Sequence, residues 1–275
     1  MDAYDLDAYF SRIGHGGSTA PRLDTLAALH RAHTRAIAFE NLNPLLDIPV
    51  GLDPASLQRK LVQGQRGGYC FEHNLLLSGV LQQLGFRVTQ LAARVLWGAP
   101  DDAQRARTHM LLRIDVEGES FLIDGGFGGM TLPSPIRLDV EGPQTTTHEP
   151  YRLLRRGDDI FMQAEVAGEW RTLYRFDLQP HFLPDYEIVN GYYCYHPDSH
   201  FKQRLSVGRA VDGGRDALAN NVLTRHRLGA ESTKRVLGSA SELRDALEDV
   251  FELRVPQVPQ LHERLQRIAE MEVPA

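Results

Sequence analysis

Helical periodicity fills the first third of this chain and stops at Gly85, where short alternating apolar runs replace it. That switch of period constrains the fold more than any other feature, because helices and strands then occupy separate blocks. Thr19 followed by Pro21 opens a helix whose apolar stripe includes Leu23, Leu26 and Leu29. Asp53 is placed as an N-cap before a first-turn proline, Pro54, leading into Leu57 and Leu61 and stopping at Gly64. A third helix starts at Cys70, carries Leu77, Val80, Leu81 and Leu84, and meets Gly85 in the C′ position. Beyond it the pattern predicts strands over 86–97, 110–116, 120–123, 151–154, 160–164, 170–176 and 192–195, as in an antiparallel sheet or barrel. The stretch 142–149 reads as an exposed loop. Ser239 with Glu242 forms a capping box ahead of Leu243, Leu247, Val250 and Phe251, and Pro259 precedes a last helix with Leu261, Leu265 and Ile268. The order of textures is that of an α+β chain, with no internal repeat and no low-complexity segment.

Bulk properties exclude several functions. The 275 residues suffice for a large core divided into two or three units. No apolar run approaches the length of a membrane span, and the first ten residues lack the basic and apolar regions of a signal peptide. A formal charge of −6 argues against nucleic acid as a partner. Two cysteines, Cys70 and Cys194, are too few for a disulfide framework and fit a reducing cytoplasm. His30 and His33 sit three apart on a helix, but no carboxylate or cysteine nearby completes a metal site, so none is expected. The pattern specifies no oligomeric state.

The sharpest chemical signal is the run 66–74, RGGYCFEHN. Gly67 and Gly68 allow a tight turn and close backbone approach. Cys70 then falls in the first helical turn, where unpaired N–H groups and the helix dipole favour an anion. A thiol becomes an effective nucleophile as the thiolate, so this is a favourable place for one. Such a nucleophile needs a base, and the base needs a group that fixes its tautomer. Of 11 histidines, His109 is best placed, at the head of one apolar run, while Asp124 closes the next. With Glu117-Gly118 as the two turn residues of a hairpin, Asp124 lies opposite Leu111. His109 then shares its face as a diagonal neighbour, about 7–8 Å away. Singly, each residue has a duller explanation: buried filler, a satisfied core histidine, a turn aspartate. Their conjunction carries the reading.

These residues resemble the arylamine N-acetyltransferase family (bacterial type) over nearly the whole chain. Its central motif, Arg-Gly-Gly-x-Cys-x-Glu, stands here as Arg66, Gly67, Gly68, Cys70 and Glu72. Ahead of it the family's phenylalanine and Glu-Asn-Leu string appear as Phe39, Glu40, Asn41 and Leu42. A threonine–histidine pair at a strand start is Thr108 and His109, and the Asp-x-Gly-Phe-Gly stretch is Asp124, Gly126, Phe127 and Gly128. The downstream His-Pro-x-Ser-x-Phe element is His196, Pro197, Ser199 and Phe201. Gly125 departs from the usual valine, a loop change expected to leave the chemistry alone. Tyr193-Cys194-Tyr195 departs from a Tyr-x-Ser-Thr string, a change that bears on the pocket wall and so on the choice of amine.

The resemblance implies a cysteine-protease-like fold: an N-terminal helical bundle (1–86) carrying the cysteine, a central antiparallel β-barrel (87–204) carrying histidine and aspartate, and a C-terminal α/β lid (205–275). It implies a catalytic triad of Cys70, His109 and Asp124 and acetyl transfer from acetyl-CoA to an arylamine or hydrazine by a ping-pong route. By correspondence with the family, Phe39, Val95, Phe127 and Phe201 would line the amine slot, and Trp97 and Thr108 the coenzyme cleft. The glycine-rich loop 124–129 would bring backbone N–H groups, including those of Gly126, Phe127 and Gly128, near the pyrophosphate. It is not a dinucleotide fingerprint. His226 and Lys234 are weaker phosphate candidates, read more simply as an exposed pair. Acetyl-CoA enters as a substrate, with no metal or prosthetic group. The same three side chains would also serve a macrolactam-forming amide synthase or a cysteine hydrolase.

Overall fold

The computed structural model describes residues 4–272; residues 1–3 and 273–275, the outermost parts of the first and third expected units, lie outside the described residues. The fold is α+β, with helices against a strongly curved antiparallel sheet. Its eight strands run in the order Ile136–Arg137, Glu119–Ile123, His109–Val116, Arg87–Val95, Glu169–Phe176, Asp159–Val166, Tyr151–Arg156 and Gly142–Gln144. A second sheet orders Phe39–Glu40, Ser206–Val211, Gly214–Ala219, Val222–Arg227 and Thr233–Val236. Phe39–Glu40 therefore ties the N-terminal helices to the distal sheet, pairing with Gly208 and Val207.

The helix Cys70–Gln83 is the hub. A one-sided stripe understates it, because every residue from Cys70 to Ser78 is buried. Helices pack on one side, and the strands Arg87–Val95 and His109–Val116 cover the other. A helix enclosed all round must be apolar or satisfied all round. Met110, Leu112 and Ile114 join Leu76, Leu77, Val80 and Leu81 in one core. On the opposite sheet face Leu91, Leu111, Leu122 and Met162 fill the barrel interior. Truncating a fully enclosed leucine such as Leu81 would cost about 2–5 kcal/mol.

Local chemistry explains the other ends. Asp53 Oδ1 accepts from Ser56 N at 2.9 Å ahead of Pro54. Ser239 Oγ accepts from Glu242 N at 3.2 Å, but the Glu242 carboxylate turns to Gly238 N at 2.8 Å rather than back to Ser239. The first long helix is Leu23–Ala36, which leaves Thr19 and Pro21 just outside it.

Three expectations need correction. The predicted strand 192–195 is the last turn of a helix, Leu183–Tyr195. It is started by Pro184 in the first turn and by Asp185, whose Oδ2 accepts from Phe182 N at 2.9 Å. Its aromatic residues mimic a strand because Tyr186, Tyr193 and Cys194 face inward at helical spacing. The stretch 142–149 contains an edge strand, Gly142–Gln144, and a buried His148 whose Nε2 donates to Val211 O at 2.9 Å. Finally, residues 206–236, where periodicity gave no element, form four strands of the distal sheet.

Candidate active site

Cys70 is placed by the turn before it. At Gly67 a Cβ would fall 2.0 Å from the carbonyl oxygen of Ala38, so the two backbones approach as only glycine permits. Beneath the turn lies a buried ion network. Arg66 grips Glu40 Oε1 through Nη2 (2.6 Å) and Nε (3.0 Å), while Lys60 donates to Glu72 at 2.6 Å. Glu72 also reaches back to Tyr69 N at 3.1 Å, closing the first turn of the Cys70 helix. Burial pushes both carboxyls up. At Glu40 the charges of Arg66 and Lys60 overcome that and hold it below its usual range, whereas at Glu72 burial wins and the group is raised. Removing one partner from such a pair strands a buried charge at a cost of about 3–5 kcal/mol.

The hairpin delivers the other two groups. Its register pairs Leu112 with Ile123, as the Glu117-Gly118 turn predicts, so Asp124 follows opposite Leu111. His109 Nε2 lies 2.7 Å from Asp124 Oδ2, both buried. Asp124 is held by three further donors: the Tyr174 hydroxyl to Oδ2 at 3.1 Å, and Asn74 Nδ2 and Gly126 N to Oδ1 at 3.2 and 3.0 Å. Burial would raise this carboxyl, but His109 and those donors keep it ionised below its usual range. His109 shows the converse. Burial pulls its pKa down, yet Asp124 and the neighbouring Cys70 outweigh that and raise it to about 10. With Nε2 on Asp124, the ring leaves Nδ1 for the thiol. Phe127 packs edge-on to the imidazole at 4.9 Å and Tyr174 lies 5.0 Å from it, so the ring is clamped as well as bonded. Cys70 Sγ lies 3.8 Å from Thr108 O. At Gly126 a Cβ would come within 2.7 Å of Cys70 Cα, so the loop after Asp124 lies directly on the nucleophile's backbone.

These groups open on a cleft of about 920 Å³. Of the residues singled out from sequence, Phe39, Cys70, Val95, Trp97, Thr108 and His109 line it, as do Gly126, Phe127, Gly128 and Phe201. Asp124 stands behind His109, fully buried. His226 also reaches the lining, whereas Lys234 is exposed outside it. Sequence reasoning missed Tyr174 and Asn74 behind the carboxylate. It also missed His200, Arg204, Arg105 and Arg215 in the cleft, whereas Tyr193, singled out for the pocket wall, does line it. Among the described residues no aspartate or glutamate lines the cleft, so a chain of charge −6 presents a basic interior there. His30 and His33 turn to Asp124 O and to His73, and both cysteines are free. Among the described residues no helix is long and apolar enough to cross a membrane.

Residues 22–259 match the sequence model of the N-acetyltransferase family. The chain is 47% identical over 253 residues to the arylamine N-acetyltransferase of Mycolicibacterium smegmatis, covering 90% of this chain and 92% of that one. Its fold superposes on the Mycobacterium marinum arylamine N-acetyltransferase solved in complex with CoA, with a TM-score of 0.92 and 42% identity, covering 96% of this chain and 99% of that one. The enzyme from Salmonella typhimurium gives 0.89 at 36% identity, over 98% and 99%. The chain belongs to the arylamine N-acetyltransferase family, enzymes that transfer an acyl group.

Proposed function

We propose that this enzyme moves an acetyl group from acetyl-CoA to an arylamine, arylhydrazine or hydrazide through an acetyl-cysteine on Cys70, with His109 and Asp124 completing a catalytic triad. The observation that carries the reading is the ordered row Asp124 Oδ2–His109 Nε2 at 2.7 Å with the thiol beside the same ring. Asp124 makes the imidazolium the favoured form of His109, so the Cys70 proton has a resting place and the sulfur acts as thiolate. The sulfur attacks the thioester carbonyl, a new C–S bond forms as the bond to the CoA sulfur breaks, and CoA leaves as the thiol after taking the proton from His109. The helix-start N–H of Cys70 is in place to stabilise the oxyanion. A neutral arylamine then attacks the acetyl-cysteine. His109 receives the proton lost as the amide forms, and the acetyl C–S bond breaks to restore the Cys70 thiolate.

In this reading Phe39, Val95, Phe127 and Phe201 form the slot for the flat acceptor. Trp97, Thr108 and the backbone of Gly126, Phe127 and Gly128 meet the coenzyme, whose phosphates suit the basic interior. The division 1–86, 87–204 and 205–275 would then assign nucleophile, base and cover to successive units. Two free thiols and the absence of any spanning helix among the described residues suit a cytoplasmic enzyme.

Intact mass after incubation with acetyl-CoA alone tests the proposal. One acetyl adduct is expected on Cys70, discharged by an arylamine or hydrazide and absent from Cys70→Ser. An unmodified protein that cleaves peptide amides or cyclises a tethered thioester would replace this reading.

A further inference from the structure

One helical turn beyond Cys70, a row of buried polar side chains crosses three helices. The Tyr9 hydroxyl lies 2.9 Å from His33 Nδ1, His33 Nε2 lies 2.9 Å from His73 Nδ1, and His73 Nε2 lies 3.2 Å from Ala38 O. All three side chains are completely buried. The last acceptor fixes the direction of the whole row. A carbonyl oxygen only accepts, so His73 carries its hydrogen on Nε2 and offers bare Nδ1. His33 must then donate from Nε2, and the Tyr9 hydroxyl must donate to His33 Nδ1. Each ring holds one proton and every polar atom in the row is satisfied.

The row touches the reaction centre from two sides. His73 is one helical turn beyond Cys70. Its acceptor, Ala38, also takes Gly68 N at 3.4 Å and directly precedes Phe39 in the cleft wall. At the other end of the contact, a Cβ on Gly125 would lie 3.4 Å from His33 Nε2 and 2.6 Å from Leu77 Cδ1. The residue beside Asp124 therefore seats directly on the histidine pair. The Leu77 methyl is what crowds a side chain at position 125, which gives the departure there a structural reason.

We propose that Tyr9, His33 and His73 are positioning residues that set Cys70 between the Phe39 wall and the Asp124 loop, acting on acetyl transfer through the placement of the sulfur. The proposal rests on the triad reading. Placement errors of about 1 Å can cost on the order of 100-fold in rate, so the row's effect should appear in the chemical steps.

The test uses the full chain and single-turnover measurements of acylation by acetyl-CoA and of discharge by an arylamine, per folded molecule. His73→Leu should slow both steps by about 10- to 100-fold, with KM for both substrates within about twofold. His73→Gln should restore the rates, because an amide donates to Ala38 O and accepts from His33. Tyr9→Phe, which keeps the packing, should slow acylation severalfold and covers the case in which His73→Leu fails to fold. Wild-type rates per folded molecule in His73→Leu or in Tyr9→Phe, or failure of His73→Gln to rescue, would overturn the inference. Cys70→Ser separates the two readings. If it still transfers acetyl groups the triad reading has failed, whereas an inactive Cys70→Ser beside a fully active His73→Leu removes only the row.

Discussion

His109 stands beside the Cys70 thiol and His73 one helical turn along from it, and neither is more than 3% exposed. Their proton affinities nevertheless move in opposite directions. His109 is raised to about 10, whereas burial lowers His73 to about 4 despite its hydrogen bond to Ala38 O. Burial is common to both, so it cannot be what decides. The partner decides. A buried carboxylate with no other cation nearby is stabilised by a charged ring, while a carbonyl asks for a single N–H and leaves the burial penalty uncompensated. The Cys70 helix thus has a charged face and a neutral face. The thiol stands next to an imidazole that keeps its proton, and the buried His30, His33 and His73 hold geometry without competing for charge.

The comparison is broken most severely by removing the carboxylate. In Asp124→Asn the ring loses its counter-charge and becomes a second neutral histidine like His73, with its tautomer no longer imposed. Acetyl transfer should fall on the order of 10³- to 10⁴-fold, measured by steady-state turnover; a rate near wild type would refute the assigned roles. A smaller effect sharpens the contrast. Tyr174→Phe takes one of four donors from Asp124 and leaves the ring against His109 and Phe127 in place. The loss of one hydrogen bond to a buried charge should lower kcat by about tenfold with KM unchanged. An unaltered kcat would show that the remaining three donors suffice.

Much of the charged face was legible in sequence, and little of the neutral face was. Glycines before a helical cysteine, and a hairpin whose turn fixes its parity, are local signals. They put Cys70 at a helix start and His109 beside Asp124; that the three meet was implied only by the family resemblance. Tyr174 shows why the rest was hidden. Its strand carries a bulge, with Met162 opposite Tyr174 but Gln163 opposite Thr172, so Leu173 and Tyr174 are both buried and alternation fails there. Tyr9, His33 and His73 lie on three different helices, and nothing in their spacing says that they meet. The helix Leu183–Tyr195 was misread because its inward aromatic residues look like strand. The strands 206–227 escaped because glycine, arginine and alanine interrupt any apolar rhythm. The resemblance to a family supplied what periodicity lacked for those distal residues.

The smallest expected effect is on stability, and it separates the two faces by pH. For His109 the folded value, about 10, exceeds the ordinary 6.5. Its contribution is therefore complete below about pH 6.5 and is lost as pH climbs through about 10. For His30 and His73 the folded value is about 4, and His33 is also well below its ordinary value. Their contribution is present above about pH 6.5 and is lost as pH falls toward about 4. The groups facing them support these signs: Arg12 opposes a charge on His33, Lys60 opposes one on His73, and Glu40 and Asp124 soften the penalty at His73 without reversing it. Thermal midpoints should therefore decline on both sides of neutrality, for separate reasons. Asp124→Asn should flatten the alkaline decline and leave the acid one. His73→Gln should ease the acid decline by one of the three linked protons, a shift of about 2–4 °C for each kcal/mol involved, and leave the alkaline one. If either variant altered both limbs equally, the two faces would be one coupled system, and the division drawn between charged and neutral histidines would not hold.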